Sequence, residues 1–196
     1  QVLVDRSAWV AEEGAQVSAA LSSLIDLDQL QARVRLGLSM GGTLPRLSRD
    51  GTVNLRAAKS PALVLQGVDV VANDIVLASD QSFVIVTGPN TGGKTVTLST
   101  LGSMALMVGA GLPIPAAPDS EIPYFPAVYA LGGDQQDIGR NLSTFSGHMV
   151  ALKGILESAC ADSLVLLDEI AVGTEPAQGA ALAVSVLESL ARSGAR

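Results

Sequence analysis

The chain predicts an α/β fold built around a phosphate-binding loop. An apolar run that reads as a buried strand, Phe83 to Thr87, opens directly into Gly88-Pro89-Asn90-Thr91-Gly92-Gly93-Lys94-Thr95, which is G-x-x-x-x-G-K-T in the strand-to-helix context it requires. A second apolar run, Ser163 to Leu167, reads as a central parallel strand and ends in Asp168-Glu169, the Walker B pattern. Finally, 196 residues with 48% hydrophobic content suffice to bury one α/β core with an appended segment.

Taken in order, residues 9 to 24 and 27 to 38 show helical periodicity, with Leu21, Leu24, Leu27, Leu30, Val34 and Leu38 recurring every three or four positions. They predict a helical lead-in over residues 1–48, broken by Gly41-Gly42 and Pro45. Thr52 to Ala57 and Asp74 to Ala78 read as strands preceding the loop strand, so a β layer comes before the phosphate loop. A helix over Val96 to about Val108 follows the loop. A connector from Leu112 to Pro126 holds five prolines, then come a strand around Val128 to Leu131 and a helix from about Ser146 to Ser158. The acid-ended strand and a helix from about Ala177 to Arg192 close a domain spanning 49–196.

The loop residues suit a nucleoside triphosphate. Gly88, Gly92 and Gly93 let backbone N–H groups turn toward a polyphosphate, Lys94 reaches the β and γ phosphates, and the Thr95 hydroxyl ligates Mg²⁺. The helix beginning near Val96 aims its positive end at the same anion. Strand alternation predicts Asp168 and Glu169 on opposite sides, giving Asp168 to the Mg²⁺ shell and Glu169 to an attacking water as general base. Taken alone, two acids at a strand end also fit a solvated edge, and a glycine-rich turn need bind nothing; together they predict binding and hydrolysis of a nucleoside triphosphate.

Composition narrows the partners. Twelve basic against 19 acidic residues leave a net charge of −7, whereas nucleic-acid surfaces are strongly basic, so this chain is not expected to be a main nucleic-acid grip. Arg33, Arg35, Arg46, Arg49 and Arg56 could make a local patch, although solvated arginines on helix and loop faces are the commoner case. Cys160, the single cysteine, excludes an internal disulfide and suits a reducing compartment, hence the cytoplasm. Mean hydropathy is +0.40, yet Gly, Pro or charge interrupts every apolar run before membrane-spanning length, and no basic segment precedes an apolar one as in a secretion signal.

Thr87 to Leu98 closely resembles the phosphate loop of the MutS superfamily, in particular its type-two, Smr-bearing branch. Leu142-Ser-Thr-Phe-Ser-Gly-His-Met149 resembles that branch's signature segment, Gly133-Asp134-Gln135-Gln136 its preceding coupling loop, and Leu164 to Gly179 its Walker B strand and following turn. The resemblance covers roughly residues 27 to 196. It implies an ABC-ATPase-like core with a mixed sheet flanked by helices, working as a homodimer through its nucleotide sites with ATP and Mg²⁺. Further, it implies that turnover is coupled to domains absent here that act on branched DNA in recombination control, or on stalled ribosomes. Any endonuclease activity would reside in such a domain.

Residue by residue, the resemblance implies that Ser143 and Thr144 reach across to the γ-phosphate held by the partner. From local sequence alone, N-caps before a helix are the plainer reading of both. The contact stretch runs from Gly88 through Pro89, Asn90, Thr91 and Gly92 to Val96, with Asn90 near phosphates and Asn73 near adenine; turn-forming asparagine is the alternative for both. His148, the only histidine, fits the type-two branch, a satisfied helix-surface imidazole being the plainer reading. The chain departs from the family at Lys59-Ser60-Pro61, at Ile170-Ala171 and at Glu175, which lengthens an interfacial acid. It also stops at Arg196, where the family continues with a further core strand and a threonine-histidine switch, and the helix-to-helix step near Ile25 to Leu27 is shorter than the family's. Two other functions compete: a nucleotide switch or dimerisation module that does not hydrolyse, and a small-molecule kinase. A kinase would show an arginine-rich lid, and the Pro-rich connector occupies that place.

Overall fold

A computed structural model describes residues 2–88, 93–132, 141–170 and 175–196, leaving aside the side chains of residues 5, 12, 141–145 and 176. The lead-in is one helix, α1 (Val2–Ser39), rather than the pair separated near Ile25 that the periodicity suggests. No glycine or proline interrupts residues 15–36, so nothing in the backbone opposes continuation. Its end is anchored: the Gly42 amide donates to the Gly37 carbonyl at 2.8 Å, Met40 is buried, and a Cβ added to Gly37 would meet Pro113 Cγ at 2.6 Å.

Beyond α1 the chain makes a four-stranded sheet in the order β1-β4-β2-β3, from β1 (Arg46–Ser48), β2 (Val53–Ala58), β3 (Asn73–Leu77) and β4 (Glu121–Pro123). β1 and β4 are parallel, and β2 is antiparallel to both β3 and β4. β1 and β4 went unforeseen because each is only three residues long beside turn residues and prolines. Burial forms β4 all the same: Ile122 is fully enclosed, and Pro123 ends the strand, having no N–H for a further ladder bond. The short helix α2 (Pro61–Leu65) starts on the proline of the Lys59-Ser60-Pro61 step, where proline is favoured.

A second sheet pairs β5 (Val128–Leu131) with β6 (Leu164–Leu167) in parallel. Between the sheets lies α3 (Lys94–Gly109). Its Met104 and Ala105 share one buried cluster with Val53, Leu55 and Ile122 of the first sheet and Leu164 and Leu166 of the second. On the other side of β5 and β6, α4 (Asn141–Ser158) and α5 (Pro176–Ser193) close a smaller cluster through Leu152, Ile155, Val186 and Leu190.

The expected loop strand is the main difference. Phe83 to Thr87 forms no strand, and Phe83, Val84, Ile85 and Val86 are about half exposed. A strand needs ladder partners on its edges, and among the described residues no strand is registered beside this run. Its apolarity is a condition for a buried strand without supplying the neighbour that buries it.

Candidate functional site

The register of the parallel pair runs from Val128↔Leu164 to Leu131↔Leu167, so both strands end at one edge. There Gly132 and Asp168 lie side by side, and the Asp168 amide donates to the Leu131 carbonyl at 2.7 Å, extending the ladder by one bond. α3 packs across β5 and β6 with its first residues above the same edge. Thr95 Oγ1 donates to Asp168 Oδ2 at 2.6 Å, joining the end of the phosphate-loop motif to the first acid. A cleft of about 200 Å³ opens beside them, with Thr95, Leu98, Leu131, Gly132 and Asp168 in its walls.

The helix start is shaped for an anion. Gly93 precedes α3 with φ of +78°, a left-handed conformation that glycine adopts without a Cβ penalty, and a helix start leaves its first amides without intrahelical acceptors. Lys94 Nζ donates to the Gly88 carbonyl at 2.6 Å, tying the described ends of the loop together. Val96 is exposed on the first turn. Pro89, Asn90, Thr91 and Gly92 lie outside the described residues, as does the Gly133 to Gln136 loop.

The oxygens of Thr95 and Asp168 suit Mg²⁺, a hard cation that keeps several waters and shares phosphate oxygens instead of filling an all-protein cage. Among the described residues, no group of three or more His, Cys, Asp or Glu could hold a metal ion.

Glu169 departs from simple strand alternation. β6 ends at Leu167, and Glu169 is exposed with φ of +55°, so the chain turns instead of carrying the pleat onward. Asn73 opens β3 opposite Ala58, beside a register shift between Leu55 and Ala58. The shift is fixed by Asp74, which accepts from the Ala57 amide at 2.9 Å and from Arg56 Nη1 at 2.7 Å. These two hydrogen bonds, the amide first, hold the Asp74 carboxyl below its ordinary range. Asn73 itself is exposed, lining with Val71, Val96 and Thr97 a crevice of only about 10 Å³, the size of one water.

Ser143 and Thr144 fall inside the first turn of α4, which starts at Asn141, so they are not caps preceding a helix; their side chains lie outside the described residues. His148, one turn before buried Leu152, is half-buried, and its Nε2 is enclosed with no hydrogen-bond partner among the described residues, unlike the satisfied surface imidazole of the plainer reading. Sequence reasoning passed over Gly132. The one available signal was a glycine directly after an apolar strand.

Comparison with known proteins adds an independent observation. Residues 84–195 match the family model described as MutS domain V. The chain is 46% identical over 186 residues to a protein named Endonuclease MutS2 from Bacillus velezensis, covering 95% of this chain and 23% of that one. It is 44% identical over 192 residues to the Listeria monocytogenes serotype 4a protein of the same name, covering 92% and 24%. A third Endonuclease MutS2, from Solidesulfovibrio magneticus, is 45% identical over 185 residues, covering 94% and 24%. The chain thus spans about a quarter of the length of these curated relatives.

Proposed function

The chain belongs to the MutS domain V family, and on that premise we propose that residues 49–196 are the ATP-binding and ATP-hydrolysing domain of a type-two MutS protein, with residues 1–48 a helical lead-in from its core. One observation carries the reading: the 2.6 Å contact between Thr95 and Asp168 at the N-terminus of α3. Two motif residues 73 positions apart meet where a helix start favours anions, as a metal–triphosphate site requires.

In this reading the backbone from Gly88 to Thr95 cradles the phosphates, Lys94 exchanges the Gly88 carbonyl for phosphate oxygens, and Asn73 lies near the base. Thr95 and Asp168 would hold Mg²⁺, which would supply charge neutralisation at the β and γ phosphates. Glu169 accepts a proton from the attacking water, while Ser143 and Thr144 of a second copy close the site in trans. Turnover in the homodimer is coupled, through other domains of a longer cytoplasmic protein, to action on branched DNA or a stalled ribosome. No described helix is long and apolar enough to cross a membrane.

Measuring ATPase rate against protein concentration tests this. A composite site predicts specific activity that rises as dimers form; flat specific activity across the dimerisation range would refute it. The left-handed turn at exposed Glu169 favours a second reading, a switch that binds ATP without hydrolysing it. Under that reading Glu169→Gln leaves turnover unchanged, whereas loss of the general base slows it while ATP binding persists.

A further inference from the structure

The geometry points to Gly132 as a positioning residue for the metal corner of the site: its missing side chain is the space in which Asp168 stands. This rests on the reading of Thr95 and Asp168 as the Mg²⁺ side of a nucleotide site and adds the residue that sets their geometry. Gly132 follows β5 with φ of +149°, a region L side chains rarely adopt. A Cβ built on it would lie 2.6 Å from Asp168 Cβ, 3.4 Å from Asp168 Cα and 3.5 Å from the Asp168 nitrogen. The first of these is far inside van der Waals contact. The atom it meets is attached directly to the backbone, so no side-chain rotation relieves it.

Asp168 has little room to retreat. Its amide is committed to the Leu131 carbonyl at 2.7 Å and its carboxylate to Thr95 at 2.6 Å. A methyl group at position 132 therefore displaces Asp168 relative to Thr95, separating the two oxygens that face the cation. The phosphate-binding groups stand on α3 and the loop before it, and Gly132 lies on neither. Gly132 thus governs how strongly the cation tightens nucleotide binding, and leaves metal-free nucleotide binding alone.

The test uses the 196-residue chain, a non-hydrolysable ATP analogue and calorimetry in EDTA and across a Mg²⁺ titration, with Mn²⁺ binding followed by electron paramagnetic resonance. Gly132→Ala is expected to keep its affinity in EDTA within about twofold and to lose about tenfold in metal affinity, the range for removing support from a metal ligand. Gly154→Ala, on α4 with no atom of the described residues within 4 Å of the added Cβ, is the control and responds to Mg²⁺ as the parent does. A parental Mg²⁺ response in Gly132→Ala overturns the inference. Affinity in the parent chain that ignores Mg²⁺ overturns the reading of the site and this inference with it. Should Gly132→Ala fail to fold, adding Asp168→Gly removes the colliding Cβ; recovery of most of the lost melting temperature supports the packing argument, and no recovery overturns it.

Discussion

At the scale of single residues, the proposed role of Glu169 sets chemistry against stability. A non-glycine residue in the left-handed region costs about 1–2 kcal/mol, and Glu169 sits there with φ of +55°. Glu169→Gly is therefore expected to raise stability by up to about 1 kcal/mol in denaturant melts while slowing ATP hydrolysis; a variant no more stable than the parent shows that the turn is unstrained. Lys94→Ala and Thr95→Ala should sharply weaken Mg-ATP binding by calorimetry, and unchanged affinity in both would remove the phosphate assignment. The motifs named Thr95 and Asp168 separately, and spacing along the chain singled out both partners of the 2.6 Å contact. Gly132 was barely legible for a physical reason: the close approach of Asp168 comes from a distant part of the chain, and a glycine after an apolar strand does not name its neighbour.

At the scale of elements, the turns of the first sheet predict a specific acid response. The Ser48 hydroxyl, at 2.7 Å, and the Thr52 amide, at 3.0 Å, both donate to Asp50 Oδ1, with Ser48 the larger cause, and hold its pKa at about 2 against an ordinary 3.8. Asp74 is lowered by the Ala57 amide and Arg56. A carboxyl depressed in the folded state stabilises fully above its unfolded pKa and ceases to as pH falls through the folded one. The melting temperature should therefore decline between 3.8 and about 2, and Asp50→Asn or Asp74→Asn should flatten that decline; an unaltered acid profile in both would show that these bonds do not couple to folding. Helix packing gives another test, because a Cβ on Gly102 of α3 would meet Leu166 Cδ1 at 2.6 Å. Gly102→Val should cost about 1–3 kcal/mol by overpacking, measured as a shifted denaturation midpoint. The helices α3 and α5 and the strands β2, β3, β5 and β6 were legible because period and length agree, whereas α1 read as two helices. β1 and β4 were not, since three-residue strands exist only through their neighbours, and the run at 83–87 shows the reverse failure, strand composition without a ladder.

At the scale of the whole molecule, the composite-site proposal predicts complementation between defective chains. Mixing a Ser143→Ala chain with a Lys94→Ala chain puts both lesions in one hybrid site and neither in the other. Activity above that of either mutant alone is expected once exchange is confirmed; no gain over the separate mutants would show that Ser143 does not act in trans. α1 has a consequence of another kind. Its 38 residues make a rod of about 57 Å, held at one end, where Gly37 crosses Pro113 and Met40 is buried. Pro113 lies four residues beyond the end of α3, and α3 begins at the phosphate loop. Any tilt at that pivot is therefore multiplied along the shaft: about 5° at the base becomes about 5 Å at the far tip, by the rise of an α-helix alone. The geometry of α1 is that of a pointer, able to turn a small displacement at the Gly37–Pro113 contact into one as large as a side chain.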